Sequence, residues 1–263
     1  MTHPIDRPRR LRGVSSPAVT LVLPASARLA WWGTAWLRGH VVTDLVVDAV
    51  LAEDATHAVA GVPGAEGTET LVGALARLRA LGATGFGATF PVDGDPVGLG
   101  GPPTFNSEAL EAGEAVVVLG AGLGLVPHRT GAATGWTVHP ASDRRQLPDV
   151  GEADRELRAA LLEAAESLAR LDVARWRPEV ADRLMNLRHR PVPAAPAGVP
   201  ARCTDLAGRG LQATEIVELA LEDVGGALTA YEIAERRGAL VSLARAGRRA
   251  LVAACSPEAW PPA

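Results

Sequence analysis

Hydrophobic positions in the first half of the chain alternate between two periods. Thr20–Leu23 reads as a short apolar strand ended by Pro24. Ser26 is placed to cap a helix in which Leu29, Trp32 and Trp36 recur at helical spacing to about Leu37, and Gly39 suits its exit. A second helix is predicted over Thr43–Leu51, with Leu45 and Val46 packing beside Ala49 and Val50 while Asp44 and Asp48 face water. His57–Val62 has strand character. Thr68–Leu81 is a clear helix: Thr68 as cap, Leu71, Leu75 and Leu78 as one stripe, Gly82 just past the end. Gly85–Phe90 then reads as a buried strand, and this strand–helix–strand spacing fits a crossover in which the helix covers a sheet. A Gly/Pro/Asp loop runs from Pro91 to Pro103, with no helix expected directly after it. Ala115–Leu119, Leu123–Val126 and Gly135–His139 follow as strands, and their tight Gly-rich connections favour antiparallel pairing in a mixed sheet.

After Pro148 the pattern turns helical. Asp149 and Glu152 make a capping-box-like start. Leu157, Leu161, Leu168 and Leu171 mark a seam, and Asp154/Arg158 and Glu166/Arg170 are i,i+4 ion pairs. Pro178 opens another helix carrying Val180, Leu184 and Leu187. Four prolines make 190–202 a stiff connector. Two further helices are predicted, Asp205–Glu222 and Thr229–Ala254, the second opened by Thr229 and Glu232. The fold class is therefore α+β. A small mixed β-sheet with flanking helices occupies residues 19–148, and a helical, bundle-like region at 149–263 packs on it, either as its own domain or as part of one continuous domain. Residues 1–18 are expected to be a disordered basic arm.

Composition narrows the chemistry. All 26 basic residues are arginine, so mechanisms built on a P-loop, Schiff-base or Ser–Lys lysine are excluded by residue type. The net charge of −4 gives no general field for nucleic acid, which is not expected as a partner. Local positive excess sits in the arm (Arg7, Arg9, Arg10 and Arg12 against Asp6), in Arg175–Arg190, and in the last helix with Arg236, Arg237, Arg245, Arg248 and Arg249. The last of these suits the helix dipole without any ligand. Ala18–Leu23 is too short for a secretory core although Ala25-Ser26-Ala27 imitates a cleavage site, and the Val41–Ala52 stretch is too short to span a bilayer and is interrupted by Asp44 and Asp48. The expectation is a cytoplasmic protein with two reduced thiols, Cys203 and Cys255.

The loop Asp93-Gly94-Asp95-Pro96-Val97-Gly98-Leu99-Gly100-Gly101 is the strongest functional candidate. Its glycines let backbone approach a ligand, and successive N–H groups can form an anion nest. Pro103 stands where a dinucleotide fingerprint needs its third glycine. The pair Asp93 and Asp95 lacks EF-hand spacing and reads as a turn, so no metal is assigned. If the strands ending in His128 and His139 are neighbours, both imidazoles meet at one sheet edge near the loop, where Arg129 would hold a carboxylate or phosphate; otherwise they are separate strand ends. The assigned binding residues are Asp93, Asp95, Gly98, Gly100, Gly101, His128, Arg129 and His139. No catalytic residue and no cofactor are assigned.

The segments LPASARLAWWGTAWLRG, FPVDGDPVGLGGPPTFN, LEAGEAVV, GLGLVP and DVARWRPEVADRLMNLRH together resemble an uncharacterised family of conserved proteins from high-GC actinobacteria, from about Val19 onward. The resemblance implies no named activity and carries over no catalytic residue. Two function classes stand. One is a non-enzymatic interaction or ligand-binding protein, open to homo-oligomer formation through apolar surface including one of Trp31, Trp32 and Trp36. The other is an enzyme acting on a small anionic metabolite at the 93–101 loop.

Overall fold

Six strands form one sheet in the order β2-β1-β6-β5-β4-β3, in the computed structural model that describes residues 22–170, 192–222 and 230–260. The strands are β1 (Thr56–Ala60), β2 (Glu69–Thr70), β3 (Gly85–Thr89), β4 (Ala115–Leu119), β5 (Leu123–Thr130) and β6 (Ala133–Pro140). Neighbours are antiparallel except β1 and β6, which run parallel. The sheet is mixed, as its sequence suggests. The crossover differs: β1 and β3 lie near opposite edges and run in opposite senses, because the β4–β5–β6 meander is inserted between them.

Alternation along the strands feeds two apolar layers. Val116, Val118, Leu125, Trp136, Phe86 and Ala88 face α1 (Ala25–Leu37), α2 (Thr43–Leu51) and α3 (Leu71–Ala80) within the main core. Ala115, Val117 and Val126 turn to the other face, where Phe105 and Ala109 of α4 (Pro103–Ala112) cover them. This helix begins directly after the Gly-rich loop, against expectation. Pro103 supplies a first-turn proline and Gly113, at φ +74°, the left-handed exit.

Several helix starts also shift. Val22 and Leu23 are irregular rather than strand, and Thr20 lies outside the described residues. Ser26 does not cap α1, which starts at Ala25 behind Pro24; instead the Ser26 N–H donates to the Glu114 carboxylate at 2.9 Å. A distant anion thereby satisfies a first-turn amide. Thr70, not Thr68, caps α3 through the Gly73 N–H, because Glu69 and Thr70 are drawn into pairing with β1. In α2 Val46 and Val50 are buried while Leu45 is exposed. In α1 Trp31 is the fully buried tryptophan, its Nε1 donating to Ala254 O at 3.0 Å; Trp32 and Trp36 are half-buried.

The second half supplies α5 (Val150–Arg170), α6 (Ala201–Glu222) and α7 (Ala230–Ala254), which pack together. Asp149 caps α5 by accepting from the Gly151 and Glu152 amides. The α6 helix begins at Ala201, four residues before Asp205. Gly210 and Gly247 allow α6 and α7 to cross closely: a Cβ on either would lie 3.0–3.1 Å from the other's carbonyl oxygen. Leu157 is buried in the seam and Asp154 pairs with Arg158. The basic arm, the Arg175–Arg190 segment with its helix from Pro178, and the Thr229 cap lie outside the described residues, as do Leu171 and the side chains of Leu168, Arg170 and Glu232.

The two halves share one hydrophobic cluster, from Leu23 and Trp31 through Phe86 to Leu251 and Cys255. The chain after α7 then runs along β3, and the Ala88 N–H donates to Cys255 O at 2.9 Å. The outer edge of β3 is thus occupied by the molecule's own C-terminal segment rather than left open.

Candidate functional site

The 93–101 loop is built by short-range bonds before anything distant reaches it. Val92 and Asp95 exchange backbone hydrogen bonds at 3.2 and 2.9 Å, a turn tightened by Gly94 at φ +78°. Thr89 Oγ1 then donates to Val97 O at 2.6 Å and folds the loop back on its own strand. Gly98 has φ +79°, and a Cβ there would lie 3.0 Å from Val252 of α7, so the position needs glycine for backbone and for space. Gly100 sits against the carbonyls of Ser142 and Arg144. Gly101 donates to Asn106 Oδ1 and accepts from the Ser142 N–H, which anchors the loop to α4 and to the chain after β6.

Between this loop, residues 146–148 and α7 lies a cleft of about 390 Å³, lined by Asp95, Gly98, Leu99, Gln146, Leu147 and Arg249 among others. It forms where the sheet half meets the helical half, the usual place for a ligand pocket. Asp95 is 8% exposed, and its Oδ2 accepts from Arg248 Nη2 at 2.9 Å while Arg245 Nε stands 3.8 Å from Oδ1. Arg249 Nε donates to Glu156 Oε2 at 2.9 Å. Three arginines thus face two carboxylates, leaving one positive charge in excess. Asp93 is exposed on the turn and does not line the cleft.

The strand-end residues go elsewhere. His128 pairs with Gly135 and His139 with Gly124 in the β5–β6 ladder. Four ladder positions separate them on one face, roughly 13 Å at the ordinary strand rise. His128 is exposed, whereas His139 is half-buried against Phe105 with its ring centroid 6.4 Å away. Arg129 turns to Asp54, donating from Nη2 to Oδ1 at 3.0 Å. The structure keeps Asp95, Gly98, Gly100 and Gly101 together at the loop and disperses His128, Arg129 and His139. In their place α7 delivers Arg245, Arg248 and Arg249, whose positive excess was visible in the sequence but not where it points.

Asp54 is the centre of a second polar cluster that local sequence patterns do not mark. Trp136 Nε1 donates to His57 Nδ1 at 3.1 Å, which fixes a neutral imidazole whose Nε2–H donates to Asp54 Oδ2 at 2.9 Å. Thr134 Oγ1 donates to the same oxygen at 2.9 Å. Burial lowers the His57 pKa below its ordinary value, with Arg28 assisting and Asp54 opposing. Burial would raise the Asp54 pKa, but hydrogen bonds from His57 and Thr134 and the charge of Arg129 bring it below the usual carboxylate range. Both folded pKa values lie below the unfolded ones, so both groups add stability above the unfolded pKa that is lost as pH falls. For His57 the loss begins near pH 6.5. The melting temperature is expected to drop as pH is lowered from about 7 to 5, and His57→Gln should flatten that slope. An unchanged slope in the variant would remove His57 as its source.

Both thiols are buried. Burial pushes the Cys203 pKa up to about 11 and raises that of Cys255 further, with Cys203 adding to the latter. Such thiols are protonated and poor nucleophiles. Among the described residues no group of three or more His, Cys, Asp or Glu side chains is placed to hold a metal ion, and no helix is long and apolar enough to cross a membrane.

Comparison with known proteins places this architecture. The profile of the Rv1486c-like protein N-terminal domain matches residues 26–150, and that of the C-terminal domain matches residues 151–252. The chain belongs to the Rv1486c-like family. Within it, the uncharacterised protein Rv1486c of Mycobacterium tuberculosis is 28% identical over 90% of this chain and 98% of its own length. The uncharacterised Mycobacterium avium protein MAV321 is 31% identical over 60% of this chain and 65% of its own. No solved structure matches. The cleft lies where the two Rv1486c-like domains meet, with residues 95–99 and 146–148 from the first and Arg249 from the second, while Arg245 and Arg248 of the second stand against Asp95 at its wall.

Proposed function

We propose that this protein is a ligand-binding protein that takes a small anion, a carboxylate- or phosphate-bearing metabolite, in the cleft between its two halves. The observation that carries this reading is the convergence of Arg245, Arg248 and Arg249 on the Gly-rich loop, with one positive charge beyond what Asp95 and Glu156 neutralise. Guanidinium groups hold planar oxyanions through paired N–H donors, and Arg248 and Arg249 are already positioned by hydrogen bonds to Asp95 and Glu156, so little of their side-chain entropy is lost on binding.

Calorimetric titration with orthophosphate, pyrophosphate and citrate tests it. Saturable binding of at least one is expected, weaker at high salt because Arg245 is exposed. Arg249→Ala should weaken that binding about tenfold or more, the effect of losing roughly 1.4 kcal/mol. Absence of saturable binding at millimolar concentration, or equal affinity in the variant, would overturn the reading.

A further inference from the structure

The Asp54 cluster forms the floor of a second and larger pocket, of about 490 Å³, that shares no lining residue with the cleft. Its walls come from the chain entering α1, the turn after α2, the end of α4 and the β5–β6 hairpin. Its charges are ordered. Arg28 is held by two carbonyls, Nε donating to Val50 O at 3.0 Å and Nη1 to Leu23 O at 2.6 Å. Its Nη2 stands 3.8 Å from Asp54 Oδ2, too far for a hydrogen bond, and therefore keeps donors to spare. Arg129 spends Nη2 on Asp54 Oδ1 and is otherwise 71% exposed.

The Asp54 carboxylate is saturated differently on its two oxygens. Oδ2 carries the His57 and Thr134 bonds and Oδ1 the Arg129 bond. Asp54 therefore acts as an anchor that fixes one guanidinium and faces another, not as a free base. Across the pocket, Glu114 uses Oε2 to accept the Ser26 amide, and its second oxygen has no hydrogen-bond partner among the described residues. Glu53 adds a further exposed carboxylate at the rim. The lining thus offers spare N–H donors on Arg28 and Arg129 and spare acceptors on Glu114 and Glu53. Leu23, Ala25, Ala52, Ala112 and Pro127 supply the apolar part of the lining.

A simple anion gains little here, because Asp54, Glu53 and Glu114 outnumber the two arginines by one charge. A simple cation meets the two guanidinium groups. The arrangement suits a ligand carrying both signs a few ångströms apart. We propose that this pocket binds a small zwitterion of the amino-acid or dipeptide class, with its carboxylate on Arg28 and Arg129 and its ammonium group on Glu114. The reading stands on its own observations and does not depend on the proposal for the cleft.

Calorimetry on the full chain with L-alanine and L-alanyl-L-alanine is the test, with N-acetyl-L-alanine and L-alanine amide as analogues lacking one charge each. Saturable binding of at least one zwitterion is expected, and each analogue should bind at least tenfold more weakly, since each leaves one set of pocket charges unpaired. Arg129→Ala should weaken the zwitterion tenfold or more while the exposed position leaves the fold intact. Glu114→Gln keeps an acceptor for the Ser26 amide and should weaken the zwitterion and N-acetyl-alanine unequally, because only the former presents an ammonium group. The proposal is overturned if neither zwitterion binds, if removing either ligand charge leaves affinity unchanged, or if both variants bind as the natural chain does.

Discussion

Replacing Arg145 by alanine is expected to lower the unfolding free energy by about 3–5 kcal/mol, the usual effect of breaking a buried ion pair. The Arg145 side chain is fully buried. Its Nε and Nη2 bond Glu258 Oε1 at 3.1 and 3.0 Å, and Nη2 also reaches Glu258 Oε2 at 3.2 Å. Further bonds run to Ala88 O, Gly98 O and Ser256 Oγ. One guanidinium therefore ties β3, the Gly-rich loop and the C-terminal segment together. Burial lowers its pKa from the ordinary arginine value and Glu258 opposes that, but the group stays charged. Gly87 makes room for it, since a Cβ there would lie 1.8 Å from Nη2. Lysine cannot reproduce the fork, so Arg145→Lys should recover less than half of the loss. Urea denaturation measures both variants. A change under about 1 kcal/mol for the alanine variant would mean that packing alone secures this junction. The same substitution should weaken anion binding in the cleft, because Gly98 O loses the donor that positions the loop.

Asp54→Ala should destabilise the protein by about 1.5–3 kcal/mol, the range for hydrogen bonds to a charged group. The carboxylate is only 7% exposed and serves His57, Thr134 and Arg129 together. Water entering from the pocket can rehydrate Arg28 and Arg129. It cannot easily reach His57, whose side chain is fully buried, and this is where the loss concentrates. Asp54→Asn keeps the shape and an acceptor, and should lie between the two. Denaturation at pH 7 is the measurement, and a variant as stable as the natural chain would show that the cluster is replaceable by solvent.

Much of the local architecture is legible in the sequence, where a residue's own chemistry suffices. Thr43–Leu51 and Ala115–Leu119 are found with their bounds as predicted, because each is a short uniform pattern. Gly82, at φ +98°, and Asp149 end and start their helices as their residue types suggest. The α4 helix is missed because its apolar stripe is thin, Phe105 and Ala109 alone being buried on it, although Pro103 and Gly113 mark both ends. Ser26 and Thr68 are good caps by type but lose to partners from other parts of the chain: Glu114 from before β4, and β1 pairing with Glu69 and Thr70. Local propensity is weaker than one tertiary bond at a helix end.

The candidate sites divide in the same way. That 93–101 is a loop able to bring backbone close to a ligand follows from its glycines, a property of each residue alone. Which charges meet it does not follow. Arg248 reaches Asp95 across 153 positions of chain, and Thr134 reaches Asp54 across 80. By itself the sequence determined the α+β class, the loop, the positive excess of the last helix and the exclusion of lysine chemistry, because periodicity and composition are local or additive. Only the tertiary structure decided that α7 lies on the loop, that β6 joins β1 in parallel so that Asp54, His57 and Trp136 assemble, and that His128 and His139 stay apart. Strand order, register and helix docking are set by the packing of the whole core, where many weak contacts are satisfied together, and no single segment carries that information.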